Sequence, residues 1–266
     1  MHSLWLVTGA TGGLGKAFAV ECALRGWDML LTDLDAGRLA LLSAGIERAY
    51  GVEVHWHQAD LTAETSRTEL VHWIREKRLR IRGLINVAGL DHEGPFMERD
   101  RTQILGILRL NIESTLMLTH ALQEFRDHAR TFRIINVSSL GAYFSMPIKA
   151  TYAASKRFLL DFSLALRNEL RDQNVSVTVL CPAGMPTNSA CIEAIEAQGL
   201  MGQLTTENVG SVAHGTLNAA LRGRAIVIPG FLNRLLLGLG SVVPAPNAAD
   251  MIGTRWRSSQ RRRSGA

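Results

Sequence analysis

LWLVTGATGGLG, Leu4 to Gly15, passes from four apolar residues into a glycine-rich turn, and the residues after it read as a helix. Leu14, Phe18, Cys22 and Arg25 step along one side of that helix, and Gly26 stands where a helix C-terminal cap is expected. Glycines let a backbone turn tightly and come close to a ligand. A helix N-terminus adds N–H groups and a partial positive charge, so strand, glycine turn and helix together suit a pyrophosphate. Taken alone, the glycines are equally compatible with an ordinary tight turn. The strand before and the helix after are what raise the motif above chance.

Outward from this stretch, short apolar runs recur with helical segments between them: WDMLLTD, VEVHWHQAD, GLINVAG, FRIINVSS, VSVTVLCP and AIVIPG. Seven such runs, each read as apolar throughout, predict a parallel sheet covered on both faces, a doubly wound Rossmann-like α/β fold. A helix beginning near Tyr152 is expected to pack through Leu159, Phe162, Leu166 and Leu170. No repeat or Pro/Gly/Ser-rich linker interrupts the chain before about residue 244, so residues 1–245 are expected to form one dinucleotide-binding and catalytic domain, with 246–266 a basic, flexible tail.

The spacing Thr8-Gly9-Gly13-Gly15 resembles the TGxxxGxG of the short-chain dehydrogenase/reductase family. The resemblance covers roughly residues 4–230, and it implies that Thr8, Gly9, Thr11, Gly13, Leu14 and Gly15 touch a nicotinamide cofactor. Asp33 closes the second apolar run, where an acid can accept hydrogen bonds from both adenosine ribose hydroxyls and repel a 2′-phosphate. Gly12 and Leu34 stand where NADP-using relatives often carry a base, so NAD is expected over NADP, with Lys16 and Arg38 the cations nearby. In the family's order, Asp60 and Leu61 resemble the pair beside adenine. Asn86, Ala88 and Gly89 of NVAG resemble NNAG, and Pro182 and Thr187 of CPAGMPT resemble PGxxxT, with Ala183 in place of the glycine.

Tyr152 and Lys156 lie one helical turn apart on a common face. A phenol titrates near pH 10, so the ammonium is expected to favour the phenolate and let Tyr152 exchange a proton near neutrality. Ser139 precedes Tyr152 by the family's spacing and is expected to bind the substrate oxygen; Ser138 is expected to be structural. In the family, the lysine also bonds the nicotinamide ribose. Asn111, in LRLNIES, matches the residue that holds a water in the proton relay. The catalytic set implied is Asn111, Ser139, Tyr152 and Lys156.

Leu90, His92 and Phe96 after NVAG, Leu140, Tyr143, Phe144 and Met146 after the serine, and Met185–Met201 after the proline are the expected substrate side, with Leu90, Leu140, Tyr143 and Met185 foremost. They are mostly apolar, which predicts a hydrophobic ketone or secondary alcohol. The competing reading is a dinucleotide-binding regulator or scaffold that has lost turnover.

Charge narrows the partners. Arg255, Arg257, Arg261, Arg262 and Arg263 follow the last acid, Asp250, and account for the whole excess of 29 basic over 24 acidic residues. The body is therefore neutral, which argues against a nucleic-acid-binding face. Cys22, Cys181 and Cys191 have no CxxC spacing; they read as reduced thiols of a cytoplasmic protein, without disulfide or metal site. The N-terminus lacks the marks of a signal peptide. Leu232, Leu235, Leu236 and Leu239 make an amphipathic stripe, expected as a lid or packing element before a membrane contact. The resemblance also implies a homodimer or homotetramer through the Tyr152 helix and the one before it.

Overall fold

The structure is a computed structural model describing residues 3–187, 189–197, 200–240, 244 and 246–254. Its seven strands are β1 (Leu4–Thr8), β2 (Met29–Asp33), β3 (Val54–Gln58), β4 (Ile81–Asn86), β5 (Phe132–Val137), β6 (Val175–Leu180) and β7 (Ile226–Val227). All pair in parallel in the order β3-β2-β1-β4-β5-β6-β7. The chain moves outward one way from β1 to β3, then returns to β4 on the other side of β1. That reversal opens a crevice beyond the carboxyl ends of β1 and β4, where open α/β sheets bind ligands.

Helices cover both faces, as a parallel sheet with no wet side requires. On one, α1 (Gly13–Leu24) and α9 (Val209–Leu221) lie beside each other, and Phe18, Ala19, Cys22, Val212 and Leu217 join Trp5, Val7 and Leu31 in one core cluster. On the other, α3 (Glu64–Glu76) and α5 (Ser114–Ala121) bring Leu70, Ile74 and Leu118 against Leu4, Leu6, Leu84 and Ile134. The central strands bear out the prediction of apolar runs: β1 is buried at every position.

The edges do not. In β3, Trp56 and Gln58 are exposed, because an edge strand is covered on one side only. The helix α6 (Ala150–Glu169) also differs from expectation. Leu159 is buried and Leu166 and Leu170 lean on the core, but Phe162 turns away and stacks on the exposed Phe158 with ring centroids 6.1 Å apart. Ser163, bonded to Asn136, takes the core position instead. Among the described residues, no helix is long and apolar enough to cross a membrane. The arginine run 255–263 lies outside the described residues.

Candidate active site

The glycine turn is built for close approach. Gly9 has φ +62, and a Cβ there would sit 2.9 Å from the Ala88 backbone. At Gly15 a Cβ would lie 2.0 Å from the Gly9 carbonyl oxygen, so the first turn of α1 packs directly on the loop. Gly13 abuts Thr187, with 2.9 Å from a hypothetical Cβ to the threonine Cα. Thr8 Oγ1 accepts from the Val87 and Ala88 amides at 3.0 and 3.1 Å and ties the loop after β4 to β1. The segments expected to hold a cofactor thus converge on one crevice.

Asp33 meets the same loop. Its Oδ2 accepts from the Thr11 amide and hydroxyl, both at 2.8 Å, and its Oδ1 from the Leu34 amide at 2.7 Å. Arg38, on α2 (Ala36–Tyr50), donates to the Thr11 carbonyl at 2.9 Å, so a cation stands beside the acid. Leu14 and Leu61 point their side chains into the core, which leaves only their main chain to a ligand. Asp60 is exposed and receives the Thr62 amide and hydroxyl. Asn86 is buried and donates to Asn136 Oδ1 at 2.8 Å, which fixes β4 against β5.

Tyr152, half-buried on α6, is hydrogen-bonded to Ser139. The Lys156 ammonium lies 5.7 Å from the center of its ring and donates to the Val137 carbonyl at 2.9 Å. Ser139 caps the short helical turn Leu140–Tyr143 by accepting from the Gly141 amide at 3.1 Å. Ser138 is buried and donates to the Lys156 carbonyl at 2.6 Å, the structural part expected of it. Gly89 closes the group: a Cβ there would be 3.2 Å from both Lys156 Nζ and Asn111 Oδ1.

The electrostatics depart from the sequence reading. Burial pushes the Tyr152 phenol up to about 12, the charge of Asp91 adds to the rise, and the Ser139 hydrogen bond works against it. Burial likewise brings Lys156 down to about 8, with Asp91 opposing. The lysine therefore does not turn the tyrosine into a phenolate in the chain alone. Desolvation is the largest cause in both shifts and acts against both charged forms at once.

Asn111 is the remaining residue of the expected catalytic set. It sits in a π-helical segment, Leu108–Glu113, between α4 (Arg101–Ile107) and α5, and is fully buried. Its Oδ1 accepts from the Leu90 amide at 2.8 Å, and its Nδ2 donates to the Leu90 carbonyl at 3.0 Å and Ser155 Oγ at 2.9 Å. A buried amide needs such partners, and through them the side chain anchors the loop after β4. Ser155 and the loop carbonyls gave no sequence signal.

On the expected substrate side, Tyr143 is half-buried with its hydroxyl on Cys181, and burial raises its phenol well above the usual range. It is part of the wall. Met185 leans on the core cluster of Trp5 and Phe18. Leu140 is half-buried, and its amide donates to the Pro182 carbonyl at 2.8 Å, joining the two loops. Leu90 is fixed through Asn111. His92 and Phe96 line a small cleft with Ile104, Ile107 and Ile148 beside Thr151. Sequence reasoning missed a charge cluster at this rim: Lys149 pairs with Asp91 and lies 3.8 Å from Glu93, and its ammonium stands 5.7 Å from the Tyr152 ring center. Positions 188, 198 and 199 of the expected substrate stretch lie outside the described residues.

Among solved structures, a short-chain dehydrogenase from Sphingobium yanoikuyae in complex with NADPH is 28% identical with TM-score 0.75, covering 91% of this chain and 96% of that one. A very-long-chain 3-oxoacyl-CoA reductase of Laccaria bicolor is 30% identical over 174 residues, 65% of this chain and 52% of the relative. The human 17-beta-hydroxysteroid dehydrogenase type 3 is 31% identical over 187 residues, 68% of this chain and 59% of the relative. The chain thus spans about half the length of the first of these curated relatives. The family described as short chain dehydrogenase matches residues 4–194, and the sheet order and converging loops above agree with it. The chain belongs to the short-chain dehydrogenase/reductase family.

Proposed function

We propose that this protein moves a hydride between a nicotinamide cofactor and a hydrophobic ketone or secondary alcohol, with Tyr152 as the acid/base. The observation that carries the reading is the placement of Tyr152, hydrogen-bonded to Ser139 and flanked by the Lys156 ammonium, beyond the strand ends beside Gly89.

The residues fit a dinucleotide. No side chain caps the N-terminus of α1 and no acid stands in its first turn, so its amides and partial positive charge face the glycine loop. Gly9, Gly13 and Gly15 leave no room there for a side chain. Thr8, Thr11, Asp33 and Asp60 would line the adenosine end; Ala88, Gly89, Pro182 and Thr187 the nicotinamide end. Asp33 favors NAD, and Arg38 is the cation by which NADP would be admitted.

When bound, the nicotinamide supplies or accepts the hydride. The chain's own work concerns the oxygen and the proton. Ser139 orients the substrate oxygen toward Tyr152 and stabilizes charge growing on it. Tyr152, protonated across the neutral range with its phenol at about 12, is set up to donate to a developing alkoxide. Lys156, titrating near 8, is able to hand a proton on at slightly alkaline pH. Asn111 keeps the loop carrying Gly89 and Leu90 against this group.

The apolar character of Leu90, Leu140 and Met185 supports a hydrophobic substrate, and the names of the relatives, a 3-oxoacyl-CoA reductase and a hydroxysteroid dehydrogenase, fit a ketone or carbinol on an apolar body. The test is absorbance at 340 nm with NAD(H) and NADP(H) against apolar alcohols, steroids and 3-oxoacyl thioesters. Turnover with at least one is expected, and Tyr152→Phe should reduce kcat by about 100-fold or more with cofactor affinity retained. Full activity in that variant overturns the assignment; cofactor binding without turnover of any ketone or alcohol points to the regulator instead.

A further inference from the structure

The helix α10 (Phe231–Gly240) is apolar nearly all round yet lies at the surface. A helix of that composition is ordinarily buried. Its inner side is accounted for. Asn233 is buried and donates to the carbonyls of Thr205 and Pro229, both at 3.1 Å, which seats α10 on α8 (Leu200–Thr205). Its C-terminal end abuts Phe144: a Cβ on Gly240 would be 2.8 Å from that ring, just past the turn that Ser139 caps. The outer side carries Phe231, Leu235 and Leu239, four residues apart on one face and 75%, 48% and 61% exposed. Arg234 is exposed beside them, and Leu204 of α8 is another exposed leucine.

From this we infer that the outer face of α10 docks on an anionic lipid surface. Charge selects that occupant over a second copy of the chain. Beyond Asp250 the sequence holds five arginines, no acid, and Trp256 between Arg255 and Arg257. A second copy would carry the same five arginines and no added acid after Asp250, so the sequence offers this region no opposite charge to meet in a dimer. An anionic bilayer complements those cations while accepting the apolar side chains, and tryptophan is a residue type that favors the membrane interface. Docking here sets the substrate side, through Phe144 and the Ser139 turn, toward the phase in which an apolar ketone dissolves. That benefit rests on the substrate reading above; the docking itself does not.

The experiment is co-sedimentation of the full chain with vesicles of phosphatidylcholine alone or with about 30% phosphatidylserine. Binding is expected with the anionic vesicles and weak on the neutral ones. Changing Phe231, Leu235 and Leu239 together to Ser should weaken it by about tenfold or more, and so should changing the five arginines to Gln. Circular dichroism and turnover of a water-soluble ketone check that both variants are folded. Absence of wild-type binding, or binding by the serine variant equal to wild type, overturns the inference. So does a dimer that the serine substitutions dissolve without any change on vesicles. Failure to turn over any ketone, with vesicle binding intact, counts against the substrate reading alone.

Discussion

At the scale of single residues, the site is a cluster of buried titratable groups whose charged forms are costly, a pattern typical of active sites. Lys156 makes the point quantitatively. Its folded pKa, about 8, lies below the unfolded value near 10.4, so the unfolded chain binds more protons between those limits. Stability from this group therefore rises with pH across that window, and below it the folded state carries a constant penalty. Lys156→Met should raise stability at pH 7 by on the order of 2 kcal/mol and abolish turnover, with the gain shrinking as pH climbs through the window. Melting curves of both proteins from pH 6 to 10 check this; a pH-independent difference would contradict it. Asp91 raises both Tyr152 and Lys156, and Lys149 bridges it. Asp91→Asn should move the kcat/KM profile to lower pH, whereas a mere structural contact would lower activity without moving the profile. Tyr152 and Lys156 could be found from spacing, but their pKa values could not. Those depend on burial and on Asp91, which the fold brings from sixty residues away.

At the scale of elements, legibility followed the range of the forces. Strands β1, β2, β4, β5 and β6 were readable because nearly every position in each is buried and most of those positions are apolar. The glycine turn was readable because close approach excludes every other residue. The π-helical turn around Asn111 was not, since it exists through the pairing of one side chain with Leu90 and Ser155, from different parts of the chain. Phe162 was misassigned because its period fits a core stripe while Ser163 has a polar partner in the core, Asn136. The Asn111 anchor gives an element-scale prediction. Ser155→Ala removes one partner of a fully buried amide and should cost about 1–3 kcal/mol in a denaturant titration. The same variant should lower kcat more than it raises KM, because the loop carrying Gly89 and Leu90 loses one of its fixings. An unchanged kcat would mean that the π-helical turn serves packing alone.

At the scale of the molecule, the crevice is assembled from loops that the sheet order brings together: residues 8–15 after β1, 87–91 after β4, 138–143 after β5 and 182–187 after β6. Contacts between them, Gly9 on Ala88, Gly13 on Thr187 and Leu140 on Pro182, mean that a ligand seated in the crevice is coupled to several strands at once. A cofactor that binds only the folded chain stabilizes the whole by mass action, about 2.7 kcal/mol at a hundredfold excess over Kd. For a chain of this size that corresponds to a rise in Tm of roughly 5–10 °C. Thermal melts with NAD and NADP at equal concentration should therefore rank the two cofactors without any substrate in hand. Asp33 predicts the larger shift with NAD. Asp33→Ala should narrow the difference by relieving repulsion of a 2′-phosphate, and Arg38→Ala should widen it by removing the cation beside Thr11. An equal shift for both cofactors in the wild type would mean that Arg38 offsets Asp33 in full, and no shift with either would remove the dinucleotide from the crevice altogether.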